Sequence, residues 1–342
     1  MTTLESSEVI AEIRGHAGVI TLNRPKALNA LTLDMVRSMT AALSEWRDND
    51  AVKLVVLRGE GDRALCAGGD IAMLYRAAEA GTDEGATFWR EEYDLNQLIA
   101  EYPKPYVAIM NGIVLGGGVG VSAHGSHRIV TDDTRIGMPE TGIGFIPDVG
   151  GTLLLAQAPD RLGYHLAYTA QHVGAAEAID LGLADTFVPK DQLEALVSEL
   201  VDTGDIATIA KFATDAGEPF AGQRAEMVDV YSADSIEGVV NKLTALAETN
   251  GDGHWAAKSL KRLRGNSPTS LVVTKAAIDR AGGKTLRQAL DQEYKIANYL
   301  HSYPDFREGV RAQILDKDFA PKWHHKDVAE VPNDFTATLF DE

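Results

Sequence analysis

Over residues 8–171 short β-branched and apolar runs alternate with stretches of helical periodicity, a pattern that few folds accommodate. Val19-Ile20-Thr21-Leu22 reads as a strand running into Asn23-Arg24-Pro25. Thr32 is placed to cap an amphipathic helix through Arg47, with Leu33, Val36, Met39, Leu43 and Trp46 at helical spacing. Residues 53–57 and 106–110 are apolar runs of buried-strand type, and Ile129-Val130 and Arg135-Ile136-Gly137 read as further strands between turn residues. Strand, helix and strand in succession predict an α/β core with crossover connections. Past about Tyr164 the β signal fades into helical windows, clearest over 191–201 and 235–248, with the poorer stretch 202–217 read as a loop. These shifts predict a core over 8–200 and a helical region over 201–342.

Composition narrows the function classes. Lys+Arg number 32 against 50 Asp+Glu, a formal net charge of −18, and no local basic stripe offsets it. Nucleic-acid binding draws most of its affinity from cations that neutralise phosphates, so that class is excluded. At roughly 150 residues per domain, 342 residues predict about two domains, or one larger unit with an appendage. One cysteine, Cys66, excludes an internal disulfide framework and a multi-cysteine metal site, and it fits a reducing compartment. Residues 1–12 carry no basic segment followed by an apolar run, and no apolar stretch reaches the roughly 18 residues that a membrane span needs. The expectation is a soluble, cytoplasmic protein with no membrane partner.

Two glycine-rich loops follow predicted strands: Leu65-Cys66-Ala67-Gly68-Gly69-Asp70 and Gly116-Gly117-Gly118-Val119-Gly120. Glycine lets a ligand approach bare backbone, and two N–H groups aimed at one oxygen stabilise an oxyanion. Tight turns alone would account equally well for either loop. A dinucleotide fingerprint fails because Val121 and Ala123 stand where its last glycine is required. A nucleophile elbow fails because His124 follows Gly120-Val121-Ser122-Ala123, and Ser122 and His124 read as helix residues. Downstream, Glu140 and Asp148 stand eight residues apart among apolar and glycine neighbours. Buried carboxylates are costly unless paired, and burial raises their pKa toward useful acid and base strength. A helix cap before Thr152 is the structural alternative for Asp148.

In order, Asn23-Arg24-Pro25 with Asn29-Ala30-Leu31, Cys66-Ala67-Gly68-Gly69-Asp70, Asn111-Gly112 with Gly116-Gly117-Gly118, and Pro139-Glu140 with Gly150-Gly151-Thr152 resemble the enoyl-CoA hydratase/isomerase (crotonase) superfamily. The resemblance implies a spiral of ββα units followed by a helical region, and a homo-oligomer, the family form being a trimer. Within the superfamily the chain resembles the branch that hydrolyses 3-hydroxyisobutyryl-CoA, through Arg90-Glu91-Glu92-Tyr93, His124-Gly125, Pro147-Asp148-Val149-Gly150-Gly151, Ser267-Pro268-Thr269-Ser270, Glu293-Tyr294 and Phe306 to Arg311. The hydratase pattern has two glutamates around one water. Here the first of those positions is Gly120, while the second is kept as Glu140.

By resemblance, the N–H groups of Gly69 and Gly117 hold a thioester oxygen and Glu140 acts at the carbonyl carbon. Attack to form an anhydride and activation of a water both fit that role. Asp148 is then expected to bind a 3-hydroxyl and Glu92 to line the acyl pocket. Coenzyme A, as part of the substrate and not a separate cofactor, is expected over Arg24, Lys26, Ala27, Ala67, Gly69, Asp70 and Ile71. No metal is required, and Cys66 reads as a small buried neighbour of the loop. His324 and His325 read as a solvated tail. An enoyl-CoA isomerase or hydratase, and a non-catalytic acyl-CoA binder on the same scaffold, are the competing expectations. The related enzymes of cells with organelles are mitochondrial.

Overall fold

The computed structural model describes residues 4–6 and 8–340. Of the stretch 1–12 read for a leader, residues 1–3 and 7 lie outside the described residues. Contacts divide the chain into two units, one built from residues 1–70, 90–136 and 173–219, the other from 71–89, 137–172 and 220–342. This differs from the contiguous division expected at residue 200. Segments 71–89 and 137–172 pack with the C-terminal helices, and a linear reading of periodicity carries no information on such partnering.

The strands are β1 (Leu4–Ser6), β2 (Val9–Arg14), β3 (Ala17–Leu22), β4 (Leu54–Gly59), β5 (Ala64–Cys66), β6 (Tyr106–Met110), β7 (Ile113–Leu115), β8 (His127–Val130), β9 (Arg135–Gly137), β10 (His172–Val173) and β11 (Thr186–Phe187). Seven form one sheet in the order β1-β2-β3-β4-β6-β8-β11, antiparallel through β3 and parallel beyond it. One face carries Ala17, Val19, Leu54, Val56, Val107 and Ile109, alternate residues of their strands, under the helix Leu193–Thr203. Gly18 points the other way, and a Cβ there would lie 2.3 Å from the Trp46 ring, so only glycine admits the helix Leu33–Trp46 at this distance. That helix is capped by Thr32, whose hydroxyl accepts from the Met35 N–H, as its sequence predicts.

A second sheet has the order β10-β9-β7-β5, with β5 and β7 parallel. Parallel neighbours end on the same side, so the loops that follow β5 and β7 emerge together. These are the two glycine loops. The fading of β signal past Tyr164 misses β10 and β11, each two residues long and too short to set a period. The stretch 202–217 contains a 3-10 turn, Ile206–Lys211, in place of a uniform loop.

The second unit is helical. Its helix Pro268–Ala281 buries residues around most of its circumference, and Leu153, Ala281 and Ala289 meet in one apolar cluster. Trp89 stacks on Phe145 at 5.2 Å, Phe145 meets Phe306 at 5.6 Å, and His301 lies edge-on to both Trp89 and Phe306. The expected solvated tail at His324 and His325 is instead docked. The His324 N–H donates to Asp305 Oδ1 (2.7 Å), and His325 Nδ1 is 3.0 Å from Thr269 Oγ1. Asp305 and Thr269 are buried and need partners, which short-range pattern cannot foresee.

Candidate active site

In the first unit the segment Asn23 to Leu31 acts as a strap for the loop after β5. Leu28 and Asn29 adopt left-handed backbone (φ 52° and 56°). The turn is held by Asn29, whose Nδ2 donates to the carbonyls of Glu60 (3.1 Å) and Ala64 (2.9 Å) while its Oδ1 accepts from the Arg24 N–H (2.9 Å). The Leu31 N–H donates to Gly68 O (2.8 Å), and Asp70 N–H and Ala67 N–H return to Leu31 O and Leu28 O. Gly68 sits at φ 109°, a conformation closed to other residues at modest cost.

Gly117 opens the four-residue helix Gly117–Gly120, behind Gly116 at φ 50°. As the first helical residue it has no intrahelical acceptor, and among the described residues neither its N–H nor that of Gly69 donates to a backbone carbonyl. The two donors are close neighbours. A Cβ on Gly117 would lie 3.3 Å from Gly69 N and 2.5 Å from Glu92 Oε1. Gly118 is equally constrained, since a Cβ there would meet Cys66 O at 2.2 Å. Gly69, Gly117 and Glu92 thus converge, with Glu92 only 2% exposed on the helix Glu84–Ala100.

Ser122 and His124, expected in a helix, lie in the turn after Gly120. The Ser122 hydroxyl donates back to Gly118 O (2.6 Å), a bond that competes with helix continuation. Burial pushes the Cys66 thiol up to about 12, with Glu92 adding to it, so Cys66 stays protonated at neutral pH. It is a packing residue beside the loop.

The residues expected to meet CoA fall into two groups. Lys26 and Ala27 are exposed on the 3-10 turn Pro25–Ala27, and Ala67, Gly69, Asp70 and Ile71 are partly exposed. Arg24 is engaged otherwise: its guanidinium donates to Ala30 O (2.6 Å) and pairs with Asp70 (3.2 Å) and Glu8 (3.1 Å). These bonds brace the strap, with two carboxylates beside the guanidinium.

In the second unit Glu140 opens the 3-10 turn Glu140–Ile143, and both Glu140 and Asp148 are 6% exposed. The turn closes through the Phe145 N–H on Glu140 O (3.0 Å) and Gly144 at φ 75°. A Cβ on Gly144 would meet Asp305 C at 2.3 Å, and one on Gly309 would meet Ile143 C at 2.4 Å, so the helix Pro304–Val310 lies directly on the turn. Thr141 is held from the other side: its hydroxyl donates to Ala167 O (2.9 Å) and accepts from Asn266 Nδ2 (3.2 Å), and its carbonyl accepts from the Ser267 N–H (3.1 Å). Ser267 Oγ donates to Asp305 Oδ2 (2.6 Å), which joins both braces.

Asp148 does not cap the helix that follows. Gly150 is the cap residue of Gly151–Gln157, with no side-chain cap bond. The backbone turns sharply here through Val149 (φ 54°) and Gly150 (φ 80°), with the Gly151 N–H donating to Asp148 O (2.6 Å). A β-branched residue in left-handed backbone costs on the order of 1–3 kcal/mol and needs external support. Glu293 supplies it from the helix Leu286–Ser302, accepting from Gly150 N–H (2.6 Å), Thr152 N–H (2.9 Å) and the Thr152 hydroxyl. Burial pushes the Glu293 carboxyl up to about 8 against these donors, and the neighbouring Asp148 charge adds to the rise.

Glu293, Asn266 and Asp305 carry no role in the sequence reading. For Glu293 a signal exists: it shares the buried face of its helix with Ala289, Leu290, Ile296, Ala297 and Leu300, and a carboxylate on an apolar face must have partners.

Paired glycine loops at parallel strand ends and buried carboxylates after the next strands define the crotonase fold. The chain belongs to the enoyl-CoA hydratase/isomerase family, whose model matches residues 17–340. It is 40% identical over 352 residues to a protein of Danio rerio named 3-hydroxyisobutyryl-CoA hydrolase, mitochondrial, covering 99% of this chain and 91% of that one. Among solved structures, a carnitinyl-CoA dehydratase from Mycobacterium thermoresistibile matches with a TM-score of 0.92 at 40% identity, covering 98% of this chain and 96% of that one. An enoyl-CoA hydratase from Rhodobacter sphaeroides 2.4.1 matches with a TM-score of 0.88 at 41% identity, over 97% and 96%. No helix among the described residues is long and apolar enough to cross a membrane, and no group of His, Cys, Asp and Glu among them is arranged to hold a metal ion.

Proposed function

We propose that this chain hydrolyses the thioester of short 3-hydroxyacyl-CoA, with 3-hydroxyisobutyryl-CoA as substrate, releasing the free hydroxy acid and CoA. The observation that carries the reading is the residue behind the paired donors. Position 120 is a buried glycine in the helix that begins at Gly117, so the first of the two hydratase carboxylates is missing at its usual place. Polarisation of a carbonyl by two N–H groups, with a single glutamate acting on its carbon, suffices for acyl transfer to water. Addition of water across a double bond needs an acid and a base together.

In this reading the N–H groups of Gly69 and Gly117 hold the thioester oxygen and stabilise the negative charge it gains. Glu140 either attacks the carbonyl carbon, to give an anhydride that water opens, or takes a proton from the attacking water. The C–S bond breaks and CoA leaves as a thiolate that acquires a proton. Asp148 binds the substrate's 3-hydroxyl and Glu92 lines the acyl pocket. An unsubstituted acyl chain leaves those carboxylates without that partner, which selects for the hydroxy acid. Exposed Lys26 and the backbone of Ala67 to Ile71 receive the CoA moiety, and the assembly is a homo-oligomer. The name of the Danio rerio relative supports the substrate class.

A second reading, reversible hydration of an enoyl-CoA, is favoured by one observation: Glu92 Oε1 lies beside Gly117 and offers a second buried carboxylate from another helix. The names of the two structural relatives point the same way. Incubation with 3-hydroxyisobutyryl-CoA separates the two. Hydrolysis releases one thiol per substrate consumed, and dehydration releases none while the enoyl thioester absorbance rises.

A further inference from the structure

We propose that Glu293 is a positioning residue that fixes where Asp148 presents its carboxylate, and through it selects for the 3-hydroxyl. The proposal rests on the reading of Asp148 as the group that binds that hydroxyl. Glu293 is fully buried on the face of the helix Leu286–Ser302 that packs inward, and its two oxygens span three donors on Gly150 and Thr152. Those donors belong to the two residues that flank Gly151, and the Gly151 N–H in turn closes the turn onto Asp148 O at 2.6 Å. The segment from Asp148 to Thr152 is thus gripped at its far end by a side chain 141 to 143 residues away.

Val149 and Gly150 are both left-handed, and the helix Gly151–Gln157 starts without a side-chain cap. Glycines at 150 and 151 permit many conformations, so a fixed carboxyl must choose one. Apolar packing would serve that end as well, yet the position holds an acid whose hydrogen bonds to Gly150 and Thr152 are directional. The Glu293 carboxyl, mostly protonated at neutral pH, keeps acceptor capacity on both oxygens, whereas a glutamine has one acceptor oxygen and turns an NH2, which cannot accept, toward the remaining backbone donor, so Glu293→Gln breaks the grip while keeping size and shape.

Two readouts test this. Amide exchange in Glu293→Gln is expected to rise at least tenfold at Gly150 and Thr152 while the helix Pro268–Ala281 keeps its protection. Unchanged exchange at both amides overturns the anchor, whatever the enzyme's reaction. The second readout is a double-mutant cycle with Asp148→Asn on thiol release. Glu293→Gln is expected to lower kcat/KM for 3-hydroxyisobutyryl-CoA at least tenfold and for isobutyryl-CoA less than threefold, and to add less than threefold in the Asp148→Asn background. Equal losses on both substrates, or losses that multiply, overturn the positioning role in favour of a merely structural one. Thr152→Val, which removes one donor to Glu293, repeats the selective loss at smaller size and serves if Glu293→Gln does not fold. If the wild-type protein releases no thiol, the hydrolase reading fails, and the exchange result still decides the anchor.

Discussion

Gly117→Ala is the substitution whose effect follows most directly from the geometry. Its backbone lies outside the left-handed region, and alanine is a good first residue for a helix, so the change costs little in local conformation. The new methyl, however, lies 2.5 Å from Glu92 Oε1, 3.3 Å from Leu31 Cδ1 and 3.3 Å from Gly69 N. A carbon and an oxygen in contact settle near 3.3 Å, so the Glu92 carboxyl or the loop must give by about 0.8 Å. Glu92 is buried and cannot swing into water, and the methyl also shields the Gly69 N–H. Catalytic groups tolerate about 0.5 Å of displacement, and loss of one oxyanion donor costs about 10²- to 10³-fold in kcat. Thiol release from 3-hydroxyisobutyryl-CoA is expected to fall by that factor, with the thermal midpoint within a few degrees of wild type. A variant that keeps kcat within threefold refutes the convergence of Gly69, Gly117 and Glu92 on the thioester.

Other outcomes follow from the same frame. Glu140→Gln is expected to abolish turnover while 3-hydroxyacyl-CoA still binds by calorimetry, and Asp148→Asn to lower turnover strongly for hydroxy substrates. Near-normal activity in the Glu140 variant removes the mechanism. Asn29→Ala strips two backbone carbonyls and the Arg24 N–H of their partner and leaves alanine in left-handed backbone, for an expected loss of about 2–4 kcal/mol by chemical denaturation. For Glu293 the folded pKa of about 8 exceeds the unfolded value near 4.5, so the folded state holds the proton more tightly. Its contribution to stability is therefore full below about pH 4.5 and declines as pH rises toward 8, by up to about 1.4 kcal/mol per pH unit. Denaturant titrations at several pH values are expected to show a shallower decline in Glu293→Gln than in wild type, and identical slopes count against the raised pKa.

Much of this architecture is legible in the chain itself because it depends on short-range chemistry. The run Tyr106–Met110 and the Thr32 cap are written in local pattern, and both glycine loops declare themselves as bare backbone at strand ends. What escapes such a reading is partnering across long separations. Glu293 meets Gly150 from 143 residues away, and Asp305 and Asn266 brace the Glu140 turn from the C-terminal helices, with nothing in their neighbourhoods to name the contact. Arg24 shows the converse difficulty. Its charge is plain in the sequence, but its bonds to Glu8, Asp70 and Ala30 are not. The acidic total of −18 likewise says little about where a site lies.

The proposed chemistry comes down to whether this fold, with glycine at 120 and glutamate at 140, breaks a thioester. Purified wild-type protein incubated with 3-hydroxyisobutyryl-CoA, with free thiol and enoyl absorbance followed in the same cuvette, tests it directly. One equivalent of thiol per substrate consumed, with no enoyl signal, is expected. Substrate consumed with enoyl absorbance rising and no thiol released contradicts it.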